Sequence, residues 1–184
     1  MPQSEQGALF ENTELPDEHV GYRGATACQA AGITYRQLDY WARTDLVAPT
    51  VRTATGSGTQ RLYSFKDILV LKVVKRLLDT GVSLQNIRVA VEHLRDRGIE
   101  DLAGITLFSD GTTVYECTSA EEIVDLLQGG QGVFGIAVGG TMREMSGQLA
   151  DFPGERIGTD DSGAAVTPHA ADELSARRRA RTAS

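Results

Sequence analysis

Only two cysteines and three histidines occur in the 184 residues, and they are scattered. Cys28 and Cys117 have neither a CxxC spacing nor a clustered histidine, which favours two buried thiols over a metal or redox pair. His19 lies in an acidic lead, His93 on a polar helix face and His169 near the end, so no Ser/His/Asp or Cys/His set gathers. An enzyme would need such machinery, and neither catalysis nor a cofactor is expected. No stretch approaches the ~18 consecutive apolar residues of a membrane span, and no basic start leads into an apolar core. A cytoplasmic protein with no membrane partner is therefore expected. Also missing after Gly98 is any heptad pattern.

Charge is abundant but unevenly spread. The formal net charge is −7, yet residues 21–98 carry 12 Lys/Arg against 6 Asp/Glu. Residues 1–20 hold 5 acids and no Lys/Arg, and residues 99–184 hold 14 acids against 6 Lys/Arg. A basic segment inside an acidic chain suits a local nucleic-acid site, with acidic flanks either suppressing promiscuous DNA binding or simply solvated.

The basic segment has a helix-turn-helix pattern followed by a wing. Thr26 with Gln29 and Thr34 with Gln37 each have the capping-box spacing, and Gly32 permits the reversal between the two helices. In the second helix Leu38, Trp41 and Ala42 share one face, while Arg36, Asp39, Tyr40 and Arg43 recur at i, i+3, i+4 and i+7 on the other. An Arg/Tyr stripe opposite a buried one is what a DNA-reading helix needs. From Thr50 to Ser64 two strand-like pieces flank Thr-Ala-Thr-Gly-Ser-Gly, a hairpin with a mobile tip. Ser64 caps a third helix with Ile68, Leu71, Val74 and Leu78 inward and Lys72, Lys75, Arg76 and Asp79 wet. Ser83 caps a fourth, running to Arg97 on the stripe Leu84, Ile87, Val91 and Leu94, with Gly98 as its stop.

Beyond Ile105 the period becomes strand-like. A hairpin turns at Ser109, Asp110 and Gly111, and a third capping box, Ser119 with Glu122, opens a helix over Ile123, Leu126 and Leu127 that ends at Gly129 and Gly130. Val133 to Val138 reads as a buried strand. The glycines Gly130, Gly132 and Gly135 spell the dinucleotide fingerprint, but they leave a helix and enter a strand, the reverse of the order that aims a helix N-terminus at pyrophosphate. Helix capping and close backbone packing explain them better. The expected fold class is α+β: a disordered acidic N-terminus (1–20), a winged helix-turn-helix DNA-binding domain (21–98), a small α+β module (99–152) and a disordered tail (153–184). The Arg177 to Arg181 cluster in that tail is read as solvated, with phosphate contact as the alternative.

With these parts assembled, the segment from about Gly24 to Arg97 resembles the DNA-binding domain of MerR-family transcription regulators. The resemblance rests on Gly32 to Arg43 (GITYRQLDYWAR), on Arg61-Leu62-Tyr63-Ser64, on Phe65-Lys66-Asp67-Ile68 and on Gly81-Val82-Ser83-Leu84 with Ile87. It implies a homodimer on pseudo-palindromic double-stranded promoter DNA, with RNA polymerase at the promoter and transcription altered by distortion of the duplex. Arg36 and Tyr40 match family positions that contact DNA, and Arg61 matches the wing arginine that meets phosphate; Thr34, Tyr35, Arg43 and Tyr63 are further candidates for DNA binding. Asp39 departs from the pattern, standing where many relatives have Arg; it is expected to pair with Arg36 or Arg43 or to accept from a cytosine amino group. Trp41, where a Tyr is frequent, is expected in the core.

Many relatives follow this domain with a long dimerisation helix and a metal loop or drug-binding domain. Here a short α+β module follows instead, an arrangement similar to the actinobacterial FtsR-like group. Metal sensing is disfavoured, the module is expected to dimerise, and any effector should be a small organic molecule. Leu107, Phe108, Tyr115, Phe134 and Ile136 are candidate pocket walls, with ordinary core as the competing assignment. The alternative function is a ligand-independent architectural DNA-binder of excisionase type. Such proteins usually lack a second folded module. An adaptor that has lost DNA binding would have lost Arg36, Tyr40 and Arg61, which are present.

Overall fold

The structure, a computed structural model, describes residues 15–53, 60–123 and 134–157. Strand β1 (Val20–Arg23) runs directly into helix α1 (Gly24–Ala31), and Gly32, at φ 72°, turns the chain towards helix α2 (Tyr35–Arg43). The α1 start differs from expectation: its N-cap is Arg23, without a side-chain cap, so Thr26 lies inside the helix. The last residue of β1 is itself the N-cap, so no Ser, Thr, Asp or Asn side chain stands at that position. At α2 the capping box forms as expected, with Gln37 N donating to Thr34 Oγ1 at 3.2 Å and Thr34 N to Gln37 Oε1 at 3.0 Å.

Leu62–Tyr63 forms β2, which pairs antiparallel with β1 (Tyr22 opposite Tyr63), and the Arg52–Leu62 bridge starts the wing hairpin. Ser64 and Asp67 cap α3 (Phe65–Asp79) reciprocally, while Asp67 Oδ2 also accepts from Thr50 N and Thr50 Oγ1, each at 2.8 Å. One carboxylate thereby ties both feet of the wing to the central helix. Burial pushes the Asp67 carboxyl upward against the pull of these hydrogen bonds.

Gly81, at φ 90°, and Ser83 lead into α4 (Leu84–Arg95), which buries Ile87, Val91 and Leu94 as expected, with Ala90 beside them and Leu84 only half-buried. It stops at Arg95, short of Arg97, and Gly98 instead caps a short helix α5 (Ile99–Ala103). Strands β3 (Thr106–Ser109), β4 (Val114–Cys117) and β5 (Phe134–Ala137) then form an antiparallel sheet in the order β4-β3-β5. The Ser119–Glu122 box is present, since Glu122 N donates to Ser119 Oγ and Ser119 N to Glu122 Oε2, both at 3.3 Å. β5 is not the buried strand its composition suggests: at the sheet's edge it buries Ile136 alone.

Besides β1 and α5, two further elements were not expected. Helix α6 (Val138–Leu149) packs on α1, α3 and α5 through Val138, Met142, Met145 and Leu149, and β6 (Glu155–Arg156) pairs antiparallel with β1. The ordered chain thus runs past Pro153, where a disordered tail was expected to begin. It also begins before Gly21, since Val20 is already in β1. Because α6 covers the side of α3 that holds Lys72, that lysine is buried rather than wet. Its Nζ donates to Ala30 O at 3.2 Å and Gln148 Oε1 at 3.1 Å and meets Glu144 Oε1 at 2.9 Å. One buried cluster includes Leu38, Trp41 and Leu71 together with Leu107, Ile136 and Met145, so the change of pattern near Gly98 marks no break in the core.

The wing tip, the rest of the helix opened by Ser119 with Leu126, Leu127, Gly129, Gly130 and Gly132, and the Arg177 to Arg181 cluster lie outside the described residues.

Candidate nucleic-acid interface

Helix α2 is fixed from three sides. Its N-terminus has the capping box, and Leu38 and Trp41 are buried beneath it. At its C-terminal end, arginines from α4 reach the carbonyls that follow: Arg88 Nη1 donates to Thr44 O at 2.8 Å and Arg95 Nη2 to Leu46 O at 2.6 Å. Cations there satisfy orphan carbonyls and oppose the negative end of the helix dipole. Asp45, at φ 55°, makes the left-handed exit.

The outer face of this fixed helix presents Tyr35, 66% exposed, and Tyr40, 52% exposed, together with Arg36 and Arg43. Thr34 is exposed too, but its hydroxyl is engaged in the cap. Asp39 settles into ion pairs: Oδ2 meets Arg43 Nε and Oδ1 accepts from Arg61 Nη1, each at 2.9 Å. Of the pairings considered from sequence the Arg43 one forms, and Arg61 joins it from the wing. Among the described residues Arg36 is the guanidinium of this face without a carboxylate partner.

Tyr63 does not join the face. It is 0% exposed, because β2 is sandwiched between β1 and the core, and its hydroxyl finds no hydrogen-bond partner of good geometry. Burial pushes its phenol up to about 12, partly countered by the nearby Arg61 guanidinium. A role for Tyr63 in direct DNA contact is therefore replaced by one in the floor below Arg61.

Between α1, α2 and the wing lies an open concavity of about 550 Å³ lined by residues including Arg23, Tyr35, Asp39, Gln60 and Arg61. Arg52 joins its rim, donating from Nε to Gln60 O at 3.0 Å. Arg23 and Arg52 were missed by the sequence reading; their signal was only that both fall in the basic segment. A helix face of Arg and Tyr beside a cationic groove can contact base edges and phosphates together.

The five candidate pocket residues do not meet in one place. Strand alternation puts Leu107, Phe134 and Ile136 on one face of the sheet and Phe108 and Tyr115 on the other. Leu107 and Ile136 belong to the core, and Phe134 is 40% exposed. A separate recess of about 410 Å³ between α4 and the β3–β4 hairpin is lined by Asn86, Val89, His93, Leu107, Val114 and Glu116, among others. No group of three His, Cys, Asp or Glu able to hold a metal occurs among the described residues, and no helix there is long and apolar enough to cross a membrane.

Residues 22–98 match the sequence pattern of the MerR HTH family regulatory protein. An HTH-type transcriptional regulator of Mycobacterium tuberculosis (strain ATCC 25618 / H37Rv) is 72% identical over 176 residues, covering 96% of this chain and 76% of the relative. One of Mycobacterium bovis is equally similar. The HTH-type transcriptional regulator HmrR of Sinorhizobium medicae is 30% identical over 71 residues, covering 39% of this chain and 46% of HmrR.

Proposed function

This chain belongs to the MerR family of HTH-type transcriptional regulators, and we propose that it acts as a homodimer on pseudo-palindromic double-stranded promoter DNA, altering transcription by RNA polymerase through distortion of the duplex. Helix α2 enters the major groove, and the wing meets the flanking backbone through Arg61. The observation that carries this reading is the exposed Tyr35, Arg36 and Tyr40 face on a helix held at both ends, beside Arg61 at the foot of the wing. Such a regulator works in the cytoplasm on the nucleoid. Dimerisation is assigned to residues 99–152, since among the described residues no coiled-coil helix follows α4.

An effector for this protein would be a small organic molecule. The recess beside α4 is one cavity in the size range of small-molecule sites, with Val89, Leu107 and Val114 beside several polar groups. Selection of bound duplexes from a random-sequence pool tests the main reading. Two half-sites related by a dyad are expected, spaced to present major grooves to both α2 helices. Recovery of single or directly repeated sites would favour the architectural, excisionase-like alternative, and recovery of no enriched sequence would remove the sequence-specific role.

A further inference from the structure

The β6 strand brings one carboxylate to the cationic groove from far along the chain. Glu155 Oε1 accepts from Arg23 Nε, and Glu155 Oε2 lies 3.5 Å from Arg52 Nη2. Arg23 stands at the entrance of α1, and Arg52 on the first strand of the wing. The two elements are separate, and Glu155 is the acid that reaches both. Asp39 likewise spans Arg43 and Arg61, so each of two carboxylates meets two arginines and the surface keeps a net positive charge.

We propose that Glu155 is a specificity-determining residue, withholding Arg23 and Arg52 from phosphate in sequence-independent DNA binding. The inference rests on the DNA-binding reading above. Non-specific affinity comes from Lys and Arg displacing counterions at phosphates, about 0.9 per phosphate neutralised on a duplex. An arginine already paired with a carboxylate gains less by meeting phosphate, and a phosphate brought to Arg23 or Arg52 must approach the Glu155 charge as well. Base-edge contacts from α2 do not involve this site, so the penalty falls mainly on random DNA. The side chain is not needed to hold β6 in place. Backbone pairing of Val20 with Arg156 and Gly21 with Glu155, and donation from Ile157 N to His19 O at 3.2 Å, anchor that strand. The Glu155 side chain is 35% exposed, so the neutral amide of Glu155→Gln fits the same space and still accepts from arginine.

The test is titration of the full chain and variants on a random-sequence duplex and on the selected operator at several salt concentrations. Glu155→Gln should bind the random duplex several-fold more tightly, with a salt slope steeper by about 1 to 2, and its operator-to-random ratio should fall. Arg52→Gln should change random binding less than about 2-fold in the wild-type background, where the charge is already paired, and should undo most of the gain in the Glu155→Gln background. Weaker random binding by Glu155→Gln, an unchanged slope, or an equal gain on both duplexes would overturn the proposal. So would a large loss from Arg52→Gln alone, which remains informative if Glu155→Gln does not fold. A wild-type chain that binds no duplex at all overturns the DNA-binding reading together with this one, whereas binding by wild type isolates the outcome to Glu155.

Discussion

Asp39 on helix α2 accepts a 2.9 Å hydrogen bond from Arg61 at the foot of the wing. The pair ties helix α2 to the foot of the wing, and Asp39 holds Arg43 with its other oxygen. Hydrogen bonding to Asp39 keeps the Arg61 guanidinium more firmly protonated than usual. An acidic residue on the outer face of α2 thus organises two cations where, alone, it would repel an anion such as phosphate. Beneath the pair sits the Tyr63 hydroxyl, sealed from solvent.

Tyr63→Phe should leave the fold as stable or raise its stability by up to about 1 kcal/mol, because it removes a buried polar group with no partner of good geometry. DNA affinity should not change. Chemical denaturation and a binding titration check both, and loss of operator binding would return Tyr63 to the interface.

Two glycines of α6 should respond in opposite directions. A Cβ at Gly139 would lie 2.3 Å from Ala103 O, backbone that cannot step aside, so Gly139→Ala should cost about 1 to 3 kcal/mol. Gly147 faces open space in the same helix, and Gly147→Ala should stabilise by roughly 0.5 to 1 kcal/mol. Equal effects in denaturant titrations would contradict the docking of α6 on α5.

Acid should loosen α6 first through Glu144. Hydrogen bonding from Lys72, then the Arg76 contact, holds its carboxyl below the ordinary value of 4.5. The folded value is the lower one, so this stabilisation is fully present above about pH 4.5 and disappears as pH falls through the depressed value. The stability difference between wild type and Glu144→Gln, measured from pH 7 downward, should be constant above pH 4.5 and shrink below it. A difference that grows on acidification would reverse the assignment.

What the sequence disclosed was mostly local. The Thr34–Gln37 box, the Gly32 turn and the Leu38/Trp41 stripe are each set within a few residues, and α1, α2, the wing base, α3 and α4 follow from such signals. The helix α6 was hidden because three glycines in its twelve residues weaken helix propensity, and its support comes from contacts with α1, α3 and α5. The burial of Lys72 was hidden with it. β6 is two residues long and gains its identity only by pairing with β1 across more than 130 positions, so the Glu155 pairs with Arg23 and Arg52 had no local signature. On the candidate interface, helix periodicity placed Arg36, Tyr40 and Arg43 outside, but a two-residue strand has no period long enough to show that Tyr63 points inward.

The most direct measurement is a salt-dependent titration of wild type, Arg36→Ala, Tyr40→Phe and Arg61→Ala on the selected operator and a scrambled duplex. Arg36→Ala and Tyr40→Phe should lose about 1 to 3 kcal/mol on the operator and little on the scrambled DNA, whereas Arg61→Ala should weaken both nearly equally and lower the salt slope by about 1. Unchanged affinity of all three variants for both duplexes would contradict the assignment of this face to DNA.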